Sequence, residues 1–397
     1  MFTELTKEAG LAALEPMCGC GLLGALKCIA GVEGILPMIH GPVSCSSGHR
    51  LAMLYAGVEP LLPTTCVEQS QMVLGSCERL EQAMRAAWEK YHPEILLVLL
   101  SCAVAMMGED YQSCVRAYCQ DTGKLALVLD GSALAGDEVD ICPKLYAALC
   151  EALGVQNGTG SNIALEGFAK TDYAFQKNLP ALERLINDSL QGCMTPGLFA
   201  DSDVFSADGA YAGARKVYAS LLWKRDGLDS AAPIGVRGSW RYLNYISRET
   251  GLPLRSEAER IYREYEEALE PIAAELRGRG LSVAVEGAGW YAYALADYLK
   301  NDLGCRVLLS VDRESGRIPW RKICDAFYED TGRFELVELI QEFGAKIVFG
   351  SSNVQMDAQW RYIPFYQPVW RVVEPMALLG YEAAIQLAKQ LLPEAIG

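Results

Sequence analysis

The sequence is poor in histidine, with His40, His49 and His92 as its three examples among 397 residues. A Ser-His-Asp triad or a histidine-rich zinc site therefore has little material to draw on. Basic residues are also scarce, because 35 Lys and Arg face 50 Asp and Glu, which gives a formal net charge of −15. Nucleic acid is disfavoured as a partner, since phosphate binding needs a basic surface. The acidic surface leaves room for docking to a basic patch on a protein partner.

Three familiar signals are missing as well. The N-terminus has no charged segment followed by an apolar one, so no signal peptide is expected. The longest strongly apolar run, from Ile95 to Met107 with Ser101 as an interruption, is shorter than the ~18 residues that a membrane span needs. We therefore expect a soluble, cytoplasmic protein with no membrane partner. No G-x-x-x-x-G-K-[ST] motif occurs, so ATP hydrolysis through a P-loop is not expected.

Cysteine, by contrast, is plentiful, with 14 residues. Because no signal peptide is predicted, these residues are not expected to form a disulfide framework. They are interpreted as buried small hydrophobes, metal ligands or reactive thiols. Cys114 and Cys119 lie five residues apart on a predicted helix and do not share a face, so packing is expected for both. Packing is also expected for Cys193, Cys305 and Cys324, with a further metal ligand as the alternative.

Strand and helix patterns alternate along the chain, which is typical of α/β folds with parallel sheets. The continuous apolar run Ile95–Leu100 predicts a strand that is buried on both faces. We predict three Rossmann-like domains, each with a parallel β-sheet flanked by helices. Helices are predicted over 68–90, 140–153, 173–189, 208–225 and 255–278. The domains are expected to span 1–155 (completed by a C-terminal helix within 374–397), 156–278 and 279–373.

One candidate site is the segment Gly287-Ala288-Gly289, which follows a predicted strand and begins a predicted helix. It fits G-x-G-x-x-A, and Asp312 ends the next strand at the separation of a dinucleotide-binding fingerprint. An NAD(P)-dependent dehydrogenase is therefore one alternative for the function. The other interpretation is structural, because tight strand-to-helix turns often need glycine without any ligand.

The second candidate site consists of Cys20, Cys45 and Cys102, each beside Gly or Ser at a predicted loop of the first domain. Thiolates are soft, anionic donors, and iron–sulfur clusters are held mainly by them. Three thiols are one short of an ordinary four-iron site, so a cluster shared by two chains would make chemical sense. Spacing alone does not distinguish such a site from three unrelated buried cysteines. His49-Arg50 is interpreted either as support for an anionic cluster or as an exposed basic pair.

The segments around these three cysteines resemble the nitrogenase component 1 family. The elements C-x-P/L-L-G-A at Cys20, H-G-P-x-x-C at Cys45 and C-x-x-x-x-x-G-D/E-D at Cys102 occur in family order and spacing. The resemblance is strong over 16–135 and looser after 230. It implies that these cysteines hold an iron–sulfur cluster, either P-cluster-like or 4Fe–4S, that relays electrons at a subunit interface. Cys18 is the alternative to Cys20.

The resemblance also implies the partners, which are a homologous component 1 subunit, in a homo- or hetero-oligomer, and an ATP-hydrolysing iron protein. We therefore expect a subunit of a two-component, nitrogenase-like reductase, active with its partner proteins and cytoplasmic. A non-catalytic scaffold for cofactor assembly is the alternative within the family, and a cluster-free interaction subunit is a third hypothesis.

Two positions depart from the family pattern. The Cys and His that anchor the large metal cofactor in true nitrogenases fall near Ser239 and Val369. Neither side chain can ligate as the family requires, so nitrogen fixation is not expected. The identity of any second metallocofactor and of the substrate stays open.

Overall fold

The computed structural model describes residues 20–55, 57–136, 138–172, 174–200, 211–218, 232–287, 289–311, 320–329, 331–350, 360–365 and 376–392. Its helices are α1 (Gly21–Ile29), α2 (Val43–Tyr55), α3 (Gln69–Leu74), α4 (Cys77–Tyr91), α5 (Cys102–Ala105), α6 (Tyr111–Thr122), α7 (Glu138–Leu153), α8 (Phe175–Ser189), α9 (Val236–Thr250), α10 (Ala258–Arg279), α11 (Gly289–Asp297), α12 (Arg333–Phe343) and α13 (Tyr381–Gln390). Its strands are β1 (Ile35–His40), β2 (Ile95–Leu100), β3 (Ala126–Asp130), β4 (Asn162–Glu166), β5 (Cys193–Pro196), β6 (Arg215–Tyr218), β7 (Ser282–Gly287), β8 (Arg306–Val311), β9 (Ala326–Glu329), β10 (Ile347–Gly350) and β11 (Arg361–Pro364). A π-helical segment, Tyr298–Asp302, continues α11, and a 3₁₀ turn lies at Trp320–Lys322.

The described strands form three sheets. Their strand orders are β1-β2-β3, β5-β4-β6 and β11-β10-β7-β8-β9. Every strand pair within these sheets is parallel. The predicted α/β class, with parallel sheets flanked by helices, is therefore confirmed. The domain limits near residues 155 and 278 stay a prediction. None of the described helices has the length and apolar character needed to cross a membrane.

The first sheet is buried on both faces, as the apolar run of β2 predicts. Leu97 and Leu99 pack into the core on the side of α1 and α7, whereas Leu96 and Val98 pack on the side of α4 and α6. This alternation follows from the two-residue period of a strand. The carboxyl ends of its three strands consequently lie along one edge, and the chain leaves that edge toward α2, α5 and α7.

The helix predicted over 68–90 is in fact two helices, α3 and α4. Gly75 stands between them with φ of +106°, a conformation that is strained for any residue with a Cβ atom. The helix predicted over 208–225 is also wrong where the chain is described. Residues 215–218 form β6, which pairs with β4, and 201–210 and 219–231 lie outside the described residues.

The expectation that the cysteines form no disulfide framework is corrected by two disulfides, one of which includes Cys114, a residue for which packing alone was expected. Cys28 of α1 is bonded to Cys142 of α7, and Cys77 of α4 to Cys114 of α6. Their Cα atoms are 6.6 and 6.2 Å apart, within the range that a disulfide spans. Both bonds join elements far apart in the sequence, which is why spacing did not reveal them.

Two carboxyl groups, those of Glu166 and Asp172, are buried. Glu166 ends β4, and one of its oxygens accepts a hydrogen bond from the Leu198 amide at 2.8 Å while the other accepts from the Tyr211 hydroxyl at 2.7 Å. Burial raises the pKa of Glu166 to about 7. Asp172 accepts from the Ala169 amide at 2.9 Å, and burial raises its pKa to about 7 as well.

These two groups predict a pH-dependent stability. Their pKa values are raised above the ordinary 4.5 and 3.8, so the folded chain binds more protons than the unfolded chain between those values and about pH 7. The free energy of unfolding should therefore fall as pH rises through this window and level off above it. The Glu166 share is on the order of 3 kcal/mol.

Thermal unfolding midpoints measured from pH 5 to pH 8 check this prediction. Glu166→Gln should show a shallower decline than the parent chain, because the amide does not ionise. Glu89→Gln, which changes an exposed acid of α4, should leave the decline unchanged. Identical slopes in the parent chain and in Glu166→Gln would contradict the assignment.

Candidate functional site

The three predicted cysteines lie at the starts of three helices. Cys20 is the residue directly before α1, Cys45 lies in the first turn of α2, and Cys102 is the first residue of the short helix α5. Two of these helices follow strands of the first sheet at its carboxyl edge. The N-terminal ends of α1 and α2 carry partial positive charge, which stabilises a thiolate or an anionic ligand beside Cys20 and Cys45.

The three thiols interact with one another. Burial raises the pKa of the Cys45 thiol, and negative charge on Cys102 and on Cys20 raises it further. Such repulsion indicates that Cys20 and Cys102 both lie within electrostatic range of Cys45. All three cysteines are half-buried and free of disulfides. The fold therefore brings together residues that are 25 and 57 positions apart in the sequence.

His49 couples two of these residues. Its Nε2 atom lies 3.0 Å from Cys20 Sγ, and its Nδ1 atom lies 2.6 Å from the carbonyl oxygen of Cys45. Burial raises the pKa of Cys20, but the hydrogen bond and charge of His49 together with the amides of Leu22 and Leu23 give a net lowering. For His49, burial lowers the pKa and Cys20 raises it, with a net increase. The arrangement favours a thiolate at Cys20 and an imidazolium at His49.

His49 and Arg50 differ in their surroundings, so the two interpretations of this pair apply to different residues. His49 supports the sulfur site, whereas the Arg50 guanidinium is exposed and lies 3.2 Å from the Glu59 carboxylate.

Residues 131–133, which follow β3, complete the surroundings of the thiols and were missed from the sequence. The Ala133 amide donates to Cys102 Sγ at 3.3 Å. Gly131 packs so closely on the start of α1 that a Cβ at Gly21 would lie 3.0 Å from its carbonyl oxygen. The Ser132 hydroxyl is buried with no partner among the described residues. The sequence signal that could have indicated this segment is the run of small residues at 131–133, which follows a strand that ends at the carboxyl edge of the first sheet.

These residues fit an iron–sulfur cluster in their chemistry. Three thiols supply soft donors, an amide faces one sulfur, and a buried hydroxyl is left without a partner. Within the described part of the chain, no group of three His, Cys, Asp or Glu is arranged around a single metal ion. Thiols that bind different irons of one cluster need not converge on one point, so a cluster is the kind of ligand that this donor set suits.

The remaining candidates are placed differently. Cys18, Asp312 and Val369 lie outside the described residues. The Ser239 hydroxyl is buried in the first turn of α9, where the Gly235 carbonyl oxygen lies 2.8 Å away. It is thus engaged with its own backbone. A Cβ at Gly287 would lie 2.8 Å from the Phe365 ring, so packing alone accounts for that glycine.

The other three free cysteines considered as ligands lie apart from the thiol site. Cys193 is exposed on β5, whereas Cys305 and Cys324 are buried. Burial raises the pKa of each of these two buried thiols to about 12. They are therefore neutral, which agrees with packing.

An apolar surface adjoins the thiol site. Val43, Leu51 and Leu54 are exposed on α2, the helix that carries Cys45. Leu61 and Leu134 are exposed on loops, and Leu134 follows the 131–133 segment directly. Exposed apolar surface of this kind marks interaction sites in soluble proteins.

Fold and site together define an α/β protein with three parallel sheets and three half-buried thiols at the edge of the first. The family model of nitrogenase component 1 type oxidoreductases matches residues 20–177 and 214–395. The chain belongs to that family, and the resemblance found in the sequence is confirmed.

Relatives of known role fall into two groups. The chain is 23% identical over 423 residues to the nitrogenase iron-molybdenum cofactor biosynthesis protein NifE of Klebsiella pneumoniae, a match that covers 97% of this chain and 92% of that protein. It is 24% identical over 154 residues to the nitrogenase molybdenum-iron protein beta chain of Clostridium pasteurianum, which covers 36% of this chain and 34% of the relative. The solved structure described as nitrogenase Cp1 at pH 6.5 superposes with a TM-score of 0.72 at 16% identity, covering 98% of this chain and 94% of that one.

Proposed function

We propose that this chain is a subunit of a two-component, nitrogenase-like reductase. An iron–sulfur cluster held by Cys20, Cys45 and Cys102 would receive electrons and pass them to a substrate or cofactor site. The observation that carries the proposal is the convergence of these three thiols at the edge of the first sheet. The cluster, when bound, supplies one-electron chemistry.

The residues around the thiols have separate tasks in this proposal. His49 lowers the pKa of Cys20 and so favours the thiolate, which is the form that binds iron. The Ala133 amide donates to Cys102 Sγ, and hydrogen bonds to cluster sulfur atoms raise the reduction potential. The Ser132 hydroxyl, one residue before Ala133, is buried without a partner among the described residues and is a further candidate oxygen donor. Half-burial of the thiols limits access of water.

A homologous subunit is the proposed partner at this site. Three thiols are one short of a full cysteine set for a four-iron cluster, and each of them is only half-buried. The exposed leucines include Leu51 and Leu54 on α2, the helix that carries Cys45, and Leu134 next to Ala133, whose amide donates to Cys102. A second subunit placed there would cover the apolar surface and supply the missing donors.

The electron donor is proposed to be an ATP-hydrolysing iron protein. The chain has no P-loop of its own, so ATP-driven reduction needs a separate protein. A net charge of −15 suits docking to a basic patch on that protein.

A cofactor-assembly scaffold is the second candidate function, and a specific observation favours it. One sequence match that spans 97% of the chain is to a protein named for cofactor biosynthesis, whereas the beta-chain sequence match covers 36% of the chain. The hydroxyl of Ser239, near the position where catalytic subunits carry a cysteine ligand, is engaged with backbone oxygens.

Electron flow separates the two candidates. The chain is purified without oxygen together with its partner subunit, and the iron protein, MgATP and dithionite are added. With protons or an added substrate as the final electron acceptor, a reductase should consume dithionite continuously, far beyond one electron per site, and should stop when MgATP is omitted. A scaffold should accept a stoichiometric quantity and then stop. The dehydrogenase alternative predicts instead that NAD(P)H binds at millimolar concentration.

A further inference from the structure

A chain of buried polar side chains lies directly behind the thiol site. His40, Thr65 and Ser76 have no exposed surface. His40 Nδ1 lies 2.9 Å from Thr65 Oγ1, and His40 Nε2 lies 3.1 Å from Ser76 Oγ. Ser76 Oγ lies 2.9 Å from the carboxylate of Glu109 and 2.8 Å from the hydroxyl of Tyr111. Buried polar groups arranged in this way are costly unless every proton has an acceptor.

The donor and acceptor in each of these hydrogen bonds follow from the groups at the two ends of the chain, Thr65 and Glu109. At one end the Gly41 amide donates to Thr65 Oγ1 at 3.0 Å, so the Thr65 proton is free to point at His40 Nδ1. At the other end the ionised Glu109 can only accept. The proton of Ser76 therefore points to Glu109, either directly or through Tyr111, whose hydroxyl lies 2.8 Å from the same oxygen.

One tautomer of His40 satisfies both ends. Nδ1 must accept from Thr65, and Nε2 must carry the proton and donate to Ser76. The surroundings agree with a neutral ring. Burial lowers the pKa of His40 to about 4, although the Glu109 charge acts in the opposite direction. Burial raises the pKa of Glu109, but hydrogen bonds from Ser76 and Tyr111 give a net lowering.

The same chain is tied to two of the candidate ligands through the backbone. Gly41, held by Thr65, is in the turn that leads from β1 into α2 and Cys45. The carbonyl oxygen of His40 accepts from the Ser101 amide at 3.0 Å, and the next residue is Cys102. Gly41 and Ser101 are packed so closely that a Cβ at Gly41 would overlap the Ser101 hydroxyl. Small shifts of the His40 ring would therefore move both loops.

We propose that Glu109 is a positioning residue, whose carboxylate orients the chain of donors, holds His40 as the neutral Nε2–H tautomer and so fixes the loops that present Cys45 and Cys102. The effect on the thiols rests on the proposed function, whereas the tautomer does not.

Selective ¹⁵N-histidine labelling tests the tautomer, because the chain has three histidines. The full chain should show one ring that stays neutral with the proton on Nε2 from pH 5 to pH 8, and His40→Gln should remove this signal. Glu109→Gln should convert it to the Nδ1–H form or to a mixture, since an amide can donate as well as accept. Asp110→Asn is the matched control: Asp110 caps α6 by accepting from the Ser113 amide at 3.0 Å and lies outside the chain of donors. The proposal would be overturned if the His40 ring of the parent chain carried its proton on Nδ1, or if the His40 signal were unchanged in Glu109→Gln.

Iron-loaded protein tests the positioning role. Glu109→Gln should retain its iron and yet shift the electron paramagnetic resonance spectrum of the reduced cluster, while Asp110→Asn should match the parent chain. If Glu109→Gln does not fold, Ser76→Ala replaces it, because it interrupts the same chain and keeps the carboxylate. A changed tautomer with an unchanged spectrum would overturn the positioning role. A parent chain that binds no iron would refute the proposed function and leave the tautomer result standing.

Discussion

Cys102→Ala should lower the iron bound per chain by on the order of tenfold or more, since even loss of a supporting residue around a metal site costs 10–100-fold in affinity. Cys102 begins α5 at the carboxyl edge of the first sheet, and its sulfur accepts from the Ala133 amide. Cys45→Ala should have the same effect. Iron is measured after purification without oxygen, in the presence of the partner subunit.

Cys193→Ala is the control for the loss of one thiol. Cys193 is exposed on β5 and has no contact with the site. It should keep the iron content and the visible absorbance of the parent chain. Iron contents that are equal in Cys102→Ala, Cys45→Ala and the parent chain would remove the basis for the proposed ligands.

Gly24→Ala should destabilise the chain strongly, because α1 and α7 cross without room for a side chain at this position. A Cβ there would lie 2.7 Å from the Cα atom of Glu138 and from Cγ2 of Ile141. The added methyl group would meet backbone atoms of α7, so α1 would have to move away from α7. Cys20 lies directly before α1 and would move with it. Overpacking of this kind costs roughly 1–3 kcal/mol or more. We expect a thermal unfolding midpoint lower by several degrees, together with reduced iron content.

Gly278→Ala provides the matched control. Gly278 lies in the last turn of α10, and nothing within 4 Å would meet a Cβ there. Alanine is the better helix former by about 1 kcal/mol, so this variant should be as stable as the parent chain or slightly more stable. Equal midpoints for Gly24→Ala and Gly278→Ala would show that the close approach of α1 and α7 is not a constraint.

The sequence was most informative where short motifs coincide with the sheet edge. Cys20, Cys45 and Cys102 are predicted as ligands because each stands in a family motif beside a strand or helix end, and that role stays a prediction. The apolar run of β2 likewise predicts a central strand, because six consecutive apolar residues are typical of a strand that is buried on both faces. Both features are patterns within one short segment, so they can be recognised without knowledge of the tertiary structure.

Contacts between distant segments were not predictable in the same way. The approach of His49 to Cys20 and of Ala133 to Cys102 spans 29 and 31 residues, and no spacing rule encodes either one. The disulfide between Cys28 and Cys142 joins residues 114 apart. The buried orientation of His40 depends on Thr65, Ser76 and Glu109 together. The sequence around His40, a single histidine before Gly-Pro, therefore does not predict these contacts.

The break between α3 and α4 illustrates a different limit. The apolar period over 68–90 continues through Gly75, so periodicity predicts one helix. The backbone at Gly75 turns to positive φ because the Ser76 amide and hydroxyl bond to the Glu109 carboxylate, at 2.8 and 2.9 Å. Tertiary hydrogen bonds thus override a weak local preference.

The central claim is that this chain binds an iron–sulfur cluster through the three thiols of its first sheet. Iron and acid-labile sulfide, measured in protein that is purified without oxygen together with its partner subunit, test it most directly. We predict that both are present in stoichiometric amounts, with the visible charge-transfer absorbance of a thiolate-bound cluster. Protein that carries neither iron nor sulfide under these conditions, while folded and paired with its partner, would contradict the account.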